Sequence, residues 1–156
     1  MVEMRAHEVS PDLLQNPSRP DRRRGNPLTA TEAVILDHIR IAADAAADKQ
    51  AGSVQVLDLR RLSGVTDYFL ICDGSSQRQV QAIVEEIDRR LRESHVRPDH
   101  LEGGQDTEWV LMDYLDFVIH VFTRDRREFY GLEKLWSDAP RLELSEITTE
   151  GAARRS

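Results

Sequence analysis

The sequence predicts an α/β layer fold over residues 29–144, a mixed sheet of about five strands flanked by helices. Three observations carry that prediction. Val80, Ile83, Val84, Ile87 and Leu91 recur at i, i+3, i+4, i+7 and i+11, the spacing of one helix face. The run DYFLIC at 67–72 holds five consecutive apolar or aromatic residues, as a strand buried on both faces does. EWVLMDY (108–114) and DFVIHVF (116–122) are strand-like runs with only Leu115 between them, which predicts a tight hairpin. The order αββα, a short extended piece, then ββα is that of helices layered on a sheet.

Each element follows in turn. Residues 1–28 contain Pro11, Pro17, Pro20, Pro27 and the run DRRRGNP without a sustained apolar period, and read as a flexible leader. Thr29 and Glu32 form a capping-box pattern ahead of a helix with Ile35, Ile39, Ala42, Ala43 and Ala46 on one face. Ala51-Gly52 stops that helix, VQVLDL (54–59) is a strand, and RLSGVTD turns at Gly64. After the second strand, DGSSQ leads into a helix over about 76–94, with Ser75 or Ser76 as N-cap. RPDHLEGG supplies the short extended piece before the hairpin. A final helix is expected from Asp125 to Trp136, offering Phe129, Leu132, Leu135 and Trp136 for packing. Residues 145–156 read as tail.

Charge narrows the class of partner. The chain carries 28 acids and 21 bases, with two of the bases lysine. Residues 28–149 hold 23 acids against 14 bases, a net of −9. Affinity for nucleic acid comes largely from Lys and Arg displacing counterions, so so acidic a core suits a basic protein better than RNA or DNA. No apolar run approaches the roughly 20 residues that cross a bilayer, and the N-terminus lacks an apolar signal region, so a cytoplasmic protein is expected.

Chemistry finds little footing. A Gly-Ser turn between strand and helix is a place where backbone N–H groups cradle phosphate, but DGSSQ lacks the glycine, lysine and spacing of a P-loop, and Gly74 alone is no dinucleotide fingerprint. Asp113 and Asp116 form no D-x-D pair and read as turn residues, so no metal or cofactor is expected. His120 shares a strand face with Asp116, Val118 and Phe122, yet lies about 13 Å from Asp116 along the strand, too far for an acid–base couple. A structural hydrogen bond is its expected role. Cys72 ends an apolar strand beside Asp73, whose charge works against a thiolate, and reads as a small buried hydrophobe. GSS lacks the GxSxG elbow of a nucleophilic serine. What stands out is aromatic: Trp109, Tyr114, Phe117, Phe122, Phe129, Tyr130 and Trp136 crowd into 28 residues, and an aromatic set in an acidic surround suits a protein contact, with about half of it filling core.

The strings LSGVTDYFLICDGSSQRQVQAI, LEGGQDTEWVLMDYLDFVIHVF and REFYGLEKLWSDA closely resemble the ribosomal silencing factor family, also called Iojap-like, over roughly residues 30–140. The resemblance implies a nucleotidyltransferase-like fold without catalytic groups. It further implies binding to a large-subunit ribosomal protein, the fourteenth, which blocks an intersubunit bridge and represses translation when nutrients are scarce. By position, the family's contact strand and hairpin tip match Trp109, Leu111, Asp113, Tyr114 and Asp116, and its last-helix motif matches Arg127, Tyr130, Glu133 and Trp136. These nine are the expected partner-binding residues, with Trp109 a hot spot of about 2 kcal/mol or more on truncation. TDYF and GSS, matching Thr66 to Phe69 and Gly74-Ser75, are assigned mainly to the fold. Tyr114-Leu115-Asp116 departs from the glycine-containing turn common in the family. A nucleotide-binding protein using Gly74-Ser75-Ser76, and a homodimer through the aromatic surface, are the competing readings.

Overall fold

The computed structural model describes residues 30–104 and 106–144. The expected leader (1–28), Thr29 of the capping box and the expected tail (145–156) lie outside the described residues. The elements are α1 (Ala30–Asp48), β1 (Gly52–Asp58), β2 (Tyr68–Gly74), α2 (Gln77–Glu93), β3 (His100–Glu102), β4 (Trp109–Asp113), β5 (Phe117–Thr123), α3 (Arg124–Tyr130), α4 (Leu132–Leu135) and β6 (Arg141–Leu142). They build a six-stranded sheet in the order β3-β4-β5-β2-β1-β6. The mixed sheet flanked by helices is as expected, and a sixth short strand joins the about five read from sequence. Two residues, Arg141 and Leu142, pair with Leu57 and Val56 of β1, and a strand that short has no periodicity to detect.

β2 occupies the centre because all seven of its residues are buried, which the run of apolar side chains dictates. It runs antiparallel to β1 and parallel to β5, from Tyr68 opposite Phe117 to Gly74 opposite Thr123. A parallel neighbour requires a crossover, and α2 followed by the β3-β4-β5 meander supplies it. Among the described residues every strand pair other than β2–β5 is antiparallel.

The side-chain period of two sorts the sheet into two cores. On one face Tyr68, Leu70, Cys72, Val110, Met112, Phe117, Ile119 and Val121 pack under α1 and α2. The stripes read from sequence supply the other half: Ile35, Ile39, Ala42, Ala43 and Ala46 from α1, and Val80, Ile83, Val84, Ile87 and Leu91 from α2. Arg90, paired with both Asp48 of α1 and Glu86 of its own helix, ties the two helices together. Arg60, in the β1–β2 loop, grips Asp58 at 2.7 Å and Glu32 of α1 at 3.4 Å.

The opposite face carries Leu57, Phe69, Ile71, Trp109, Leu111, Val118 and Phe122, covered by Leu132, Trp136 and Ala139. Here the single final helix expected over Asp125–Trp136 is corrected to two short ones. Gly131 adopts the left-handed conformation (φ 57°, ψ 44°), ends α3 and starts α4. That break changes the helical phase. Leu132 and Trp136 turn inward, while Phe129 and Leu135, expected to pack, are 71% and 62% exposed. No helix among the described residues is long and apolar enough to cross a membrane.

Candidate partner-binding site

Trp109 and Leu111 point from β4 into the second core and are 2% and 0% exposed. The indole N–H of Trp109 donates to Nδ1 of His120 on β5 at 3.1 Å, and its ring lies 4.8 Å from Phe122 and 4.5 Å from Tyr130. Since Nδ1 accepts, the proton of the neutral imidazole sits on Nε2. Burial alone pushes the His120 pKa down to about 3, which keeps the ring neutral. His120 is fully buried, and the structural hydrogen bond expected of it goes to Trp109. The side chains of Trp109 and Leu111, the residues matched to the family's contact strand, are internal in this fold.

The hairpin tip is different. Tyr114 is buried, stacked on Phe117 at 4.8 Å, but Leu115 is 55% exposed and bears a positive φ of 73°. The Asp113 carboxylate accepts the Leu115 N–H at 2.8 Å, and the Asp116 N–H bonds the Tyr114 carbonyl at 2.9 Å, which closes the turn. Asp113 and Asp116 are both half-buried. β3, an edge strand, lies alongside: His100 pairs with Asp113, and the Asp99 N–H bonds the Asp113 carbonyl at 2.7 Å. Leu101 on that edge is 50% exposed, and His100 holds Glu102 at 2.7 Å. The Asp113 pKa is raised, first by burial and then by Asp99 and Glu102, against the Leu115 N–H and His100, which lower it. Four acids and two exposed leucines therefore converge on one corner of the sheet.

The last-helix residues do internal work. Arg127, buried, donates from Nη1 to Asp73 (2.9 Å) and from Nε and Nη2 to Glu133 (3.1 and 2.7 Å). It clamps the α3–α4 pair onto the end of β2. Tyr130 is half-buried over Trp109, and Trp136 packs edge-on to Phe69 at 6.0 Å. Of the nine residues expected at a contact, only Asp113, Asp116, Glu133 and Tyr130 retain partial exposure. Leu101 and Leu115 were missed because an isolated leucine beside a turn carries no pattern.

The groups screened for chemistry are engaged in structure. Ser76 caps α2, its Oγ accepting the Gln79 N–H at 3.1 Å. The Ser75 N–H and hydroxyl both donate to Gln79 Oε1, at 2.6 and 2.9 Å, so the cradle is closed by the chain's own side chain. Cys72 is fully buried and desolvation pushes its thiol up to about 12, away from reactivity. No group of three His, Cys, Asp or Glu side chains among the described residues is placed to hold a metal ion.

Comparison with known proteins places this arrangement. The family model described as "Ribosomal silencing factor during starvation" matches residues 32–156. Ribosomal silencing factor RsfS of Bacillus subtilis is 47% identical over 106 residues, covering 68% of this chain and 90% of that protein. The mouse protein named Mitochondrial assembly of ribosomal large subunit protein 1 is 36% identical over 75 residues, 46% of this chain and 33% of its own. A crystal structure from Bacillus halodurans superposes with a TM-score of 0.61 at 41% identity, covering 69% of this chain and 97% of that one. With the family pattern spanning most of the chain and the sheet matching a solved relative, this chain belongs to the ribosomal silencing factor family.

Proposed function

We propose that this chain binds the large ribosomal subunit in the cytoplasm, through the basic fourteenth protein of that subunit, and sterically prevents the small subunit from joining. Translation is thereby repressed under nutrient limitation without any reaction being catalysed. The observation that carries this reading is the corner formed by Asp99, Glu102, Asp113 and Asp116 with the exposed Leu101 and Leu115. Apolar anchors beside acids fit a basic protein surface; Leu101 lies on the edge strand β3 and Leu115 in the β4–β5 turn. The mouse relative, named for assembly of the ribosomal large subunit, supports that subunit as the partner. Trp109, Leu111, Tyr114, Arg127, Tyr130, Glu133 and Trp136 serve the contact by holding the hairpin and the α3–α4 pair in place.

Sedimentation of the full chain with separated ribosomal subunits tests this. Co-migration with the large subunit is expected, with loss in Leu101→Asp combined with Asp116→Lys while the melting temperature stays near that of the parent. Migration with the small subunit, or with neither, would overturn the proposal. Retained co-migration in that folded variant would move the contact elsewhere on the surface.

A further inference from the structure

The hairpin corner has a second basic segment to meet, and it belongs to the same chain. Residues 19–24, RPDRRR, carry four arginines against Asp21, a net of +3, whereas residues 28–149 carry −9. This run lies ahead of the family pattern, which begins at residue 32. The fold brings the start of α1 to the hairpin end of the sheet. Glu32, in the first turn of α1, faces Arg60 at 3.4 Å, and the Arg60 guanidinium lies 5.6 Å from the centre of the Tyr68 ring. Tyr68 opens β2 opposite Phe117, which opens β5, and the Asp67 N–H bonds the Asp116 carbonyl at 3.0 Å. Asp113 and Asp99 lie one and two strands further on, about 5 and 10 Å. From Ala30 back to Arg24 is six residues and to Arg22 eight, an extended reach of about 20–28 Å. The arginines can span to the corner.

The corner also differs from the other acidic surfaces. Glu86, Asp88 and Glu93 are each paired with an arginine of their own helix, and Asp58 is held by Arg60. Among the described residues neither Asp99 nor Asp113 has an ion-pair partner, and His100 is bonded to Glu102 at 2.7 Å. Burial first, then the charges of Asp99 and Glu102, raises the Asp113 pKa, so an arriving guanidinium relieves a standing repulsion. Arginine forks also match carboxylates better than any other cationic side chain does.

We infer that the Arg22–Arg24 run folds back onto this corner of its own chain, pairing with Asp99 and Asp113 beside the exposed Leu101 and Leu115. There it competes with the basic ribosomal protein for the same surface. The competition rests on the ribosomal reading; the intrachain contact does not. A short tether gives an effective concentration of about 1 mM. A contact with a dissociation constant of about 0.3 mM between separate pieces is then made about three-quarters of the time, and the partner's apparent affinity falls about fourfold.

A nitroxide attached at Ser18→Cys in the full chain tests the contact, since Cys72 is fully buried with its thiol pushed up to about 12 and stays unlabelled. The amides of Leu101, Asp113 and Leu115 should broaden far more than that of Gly74 at the other end of β2. That broadening should vanish when Arg22, Arg23 and Arg24 are all changed to Glu, in Asp99→Asn with Asp113→Asn, and in about 1 M salt, where screening acts within about 3 Å. Broadening that is absent, or that survives the arginine reversal, overturns the contact. Broadening of an isotope-labelled chain by a separate nitroxide-bearing chain would assign it to a second copy and overturn it equally. In a sedimentation titration with the large subunit, the arginine reversal should bind about fourfold tighter than the parent. Equal or weaker binding overturns the competition. A chain that keeps the broadening yet ignores the large subunit would overturn the ribosomal reading and leave the intrachain contact standing.

Discussion

The body and the tip of the β4–β5 hairpin are adjacent in sequence and opposite in character. In the body, Trp109, Leu111 and His120 are almost wholly withdrawn from water, and Trp109 donates to His120 and packs its ring against Phe122 and Tyr130. At the tip, two residues past β4, Leu115 stands in solvent between two half-buried aspartates. Aromatic content alone therefore does not mark a contact surface. Large rings go where a dry face exists to receive them, and the α3–α4 pair makes one over β4 and β5.

The comparison breaks most visibly through the body. Trp109→Ala is expected to lower stability by about 3–5 kcal/mol, since it empties a packed site and strands His120, and urea unfolding measures it. Weak binding by that variant would then report lost structure; Trp109→Ala that unfolds at the parent's urea midpoint would contradict the packing. Arg127→Ala should cost a similar 3–5 kcal/mol, because it leaves Asp73 and Glu133 facing each other without their shared cation.

His120 gives a smaller, pH-dependent effect. Its pKa is about 3 in the fold, against an ordinary 6.5 once unfolded. Between those values the unfolded chain binds a proton the folded chain refuses. Stability from this group is therefore complete above about pH 6.5 and drains away as the pH falls toward 3, at up to about 1.4 kcal/mol per unit. Urea midpoints collected between neutrality and pH 5 should show this slope, and His120→Gln should flatten it. An unchanged slope in that variant would assign the pH dependence to other groups.

The tip answers to gentler changes. Asp113→Asn with Asp116→Asn should slow association with the large subunit and reduce its salt dependence while barely altering the melting temperature. A rate constant indifferent to both charge and salt would remove the acids from the encounter. Leu115→Gly should shift stability by no more than about 1 kcal/mol, toward stabilisation, because the positive φ that strains leucine is free to glycine, whereas glycine's looser unfolded state offsets part of the gain. The same substitution deletes an exposed anchor, so gained stability with weakened subunit binding would separate the turn's geometry from its contact.

Much of this molecule is legible in its sequence. The α2 stripe, the α1 alanine face and the apolar run of β2 all occupy the positions their patterns require. The alternation along β5 likewise divides Phe117, Ile119 and Val121 from Val118, His120 and Phe122, core from core. Those features are local: a side chain's face is set by the repeat of its own element. The family, too, is readable from separated strings of residues.

Which faces are finally dry was decided elsewhere. The β4 pattern put Trp109, Leu111 and Asp113 on one side, but whether that side met water depended on where α3 and α4 came to rest. That in turn depended on a left-handed Gly131 and on Arg127 reaching back 54 residues to Asp73. β6 and the corner at Asp99, Leu101 and Leu115 are likewise products of strands distant in sequence meeting at one edge. Sequence patterns set the inward side of each element, because backbone geometry is local. Only the folded sheet determined what covers that side, because burial is a property of neighbours.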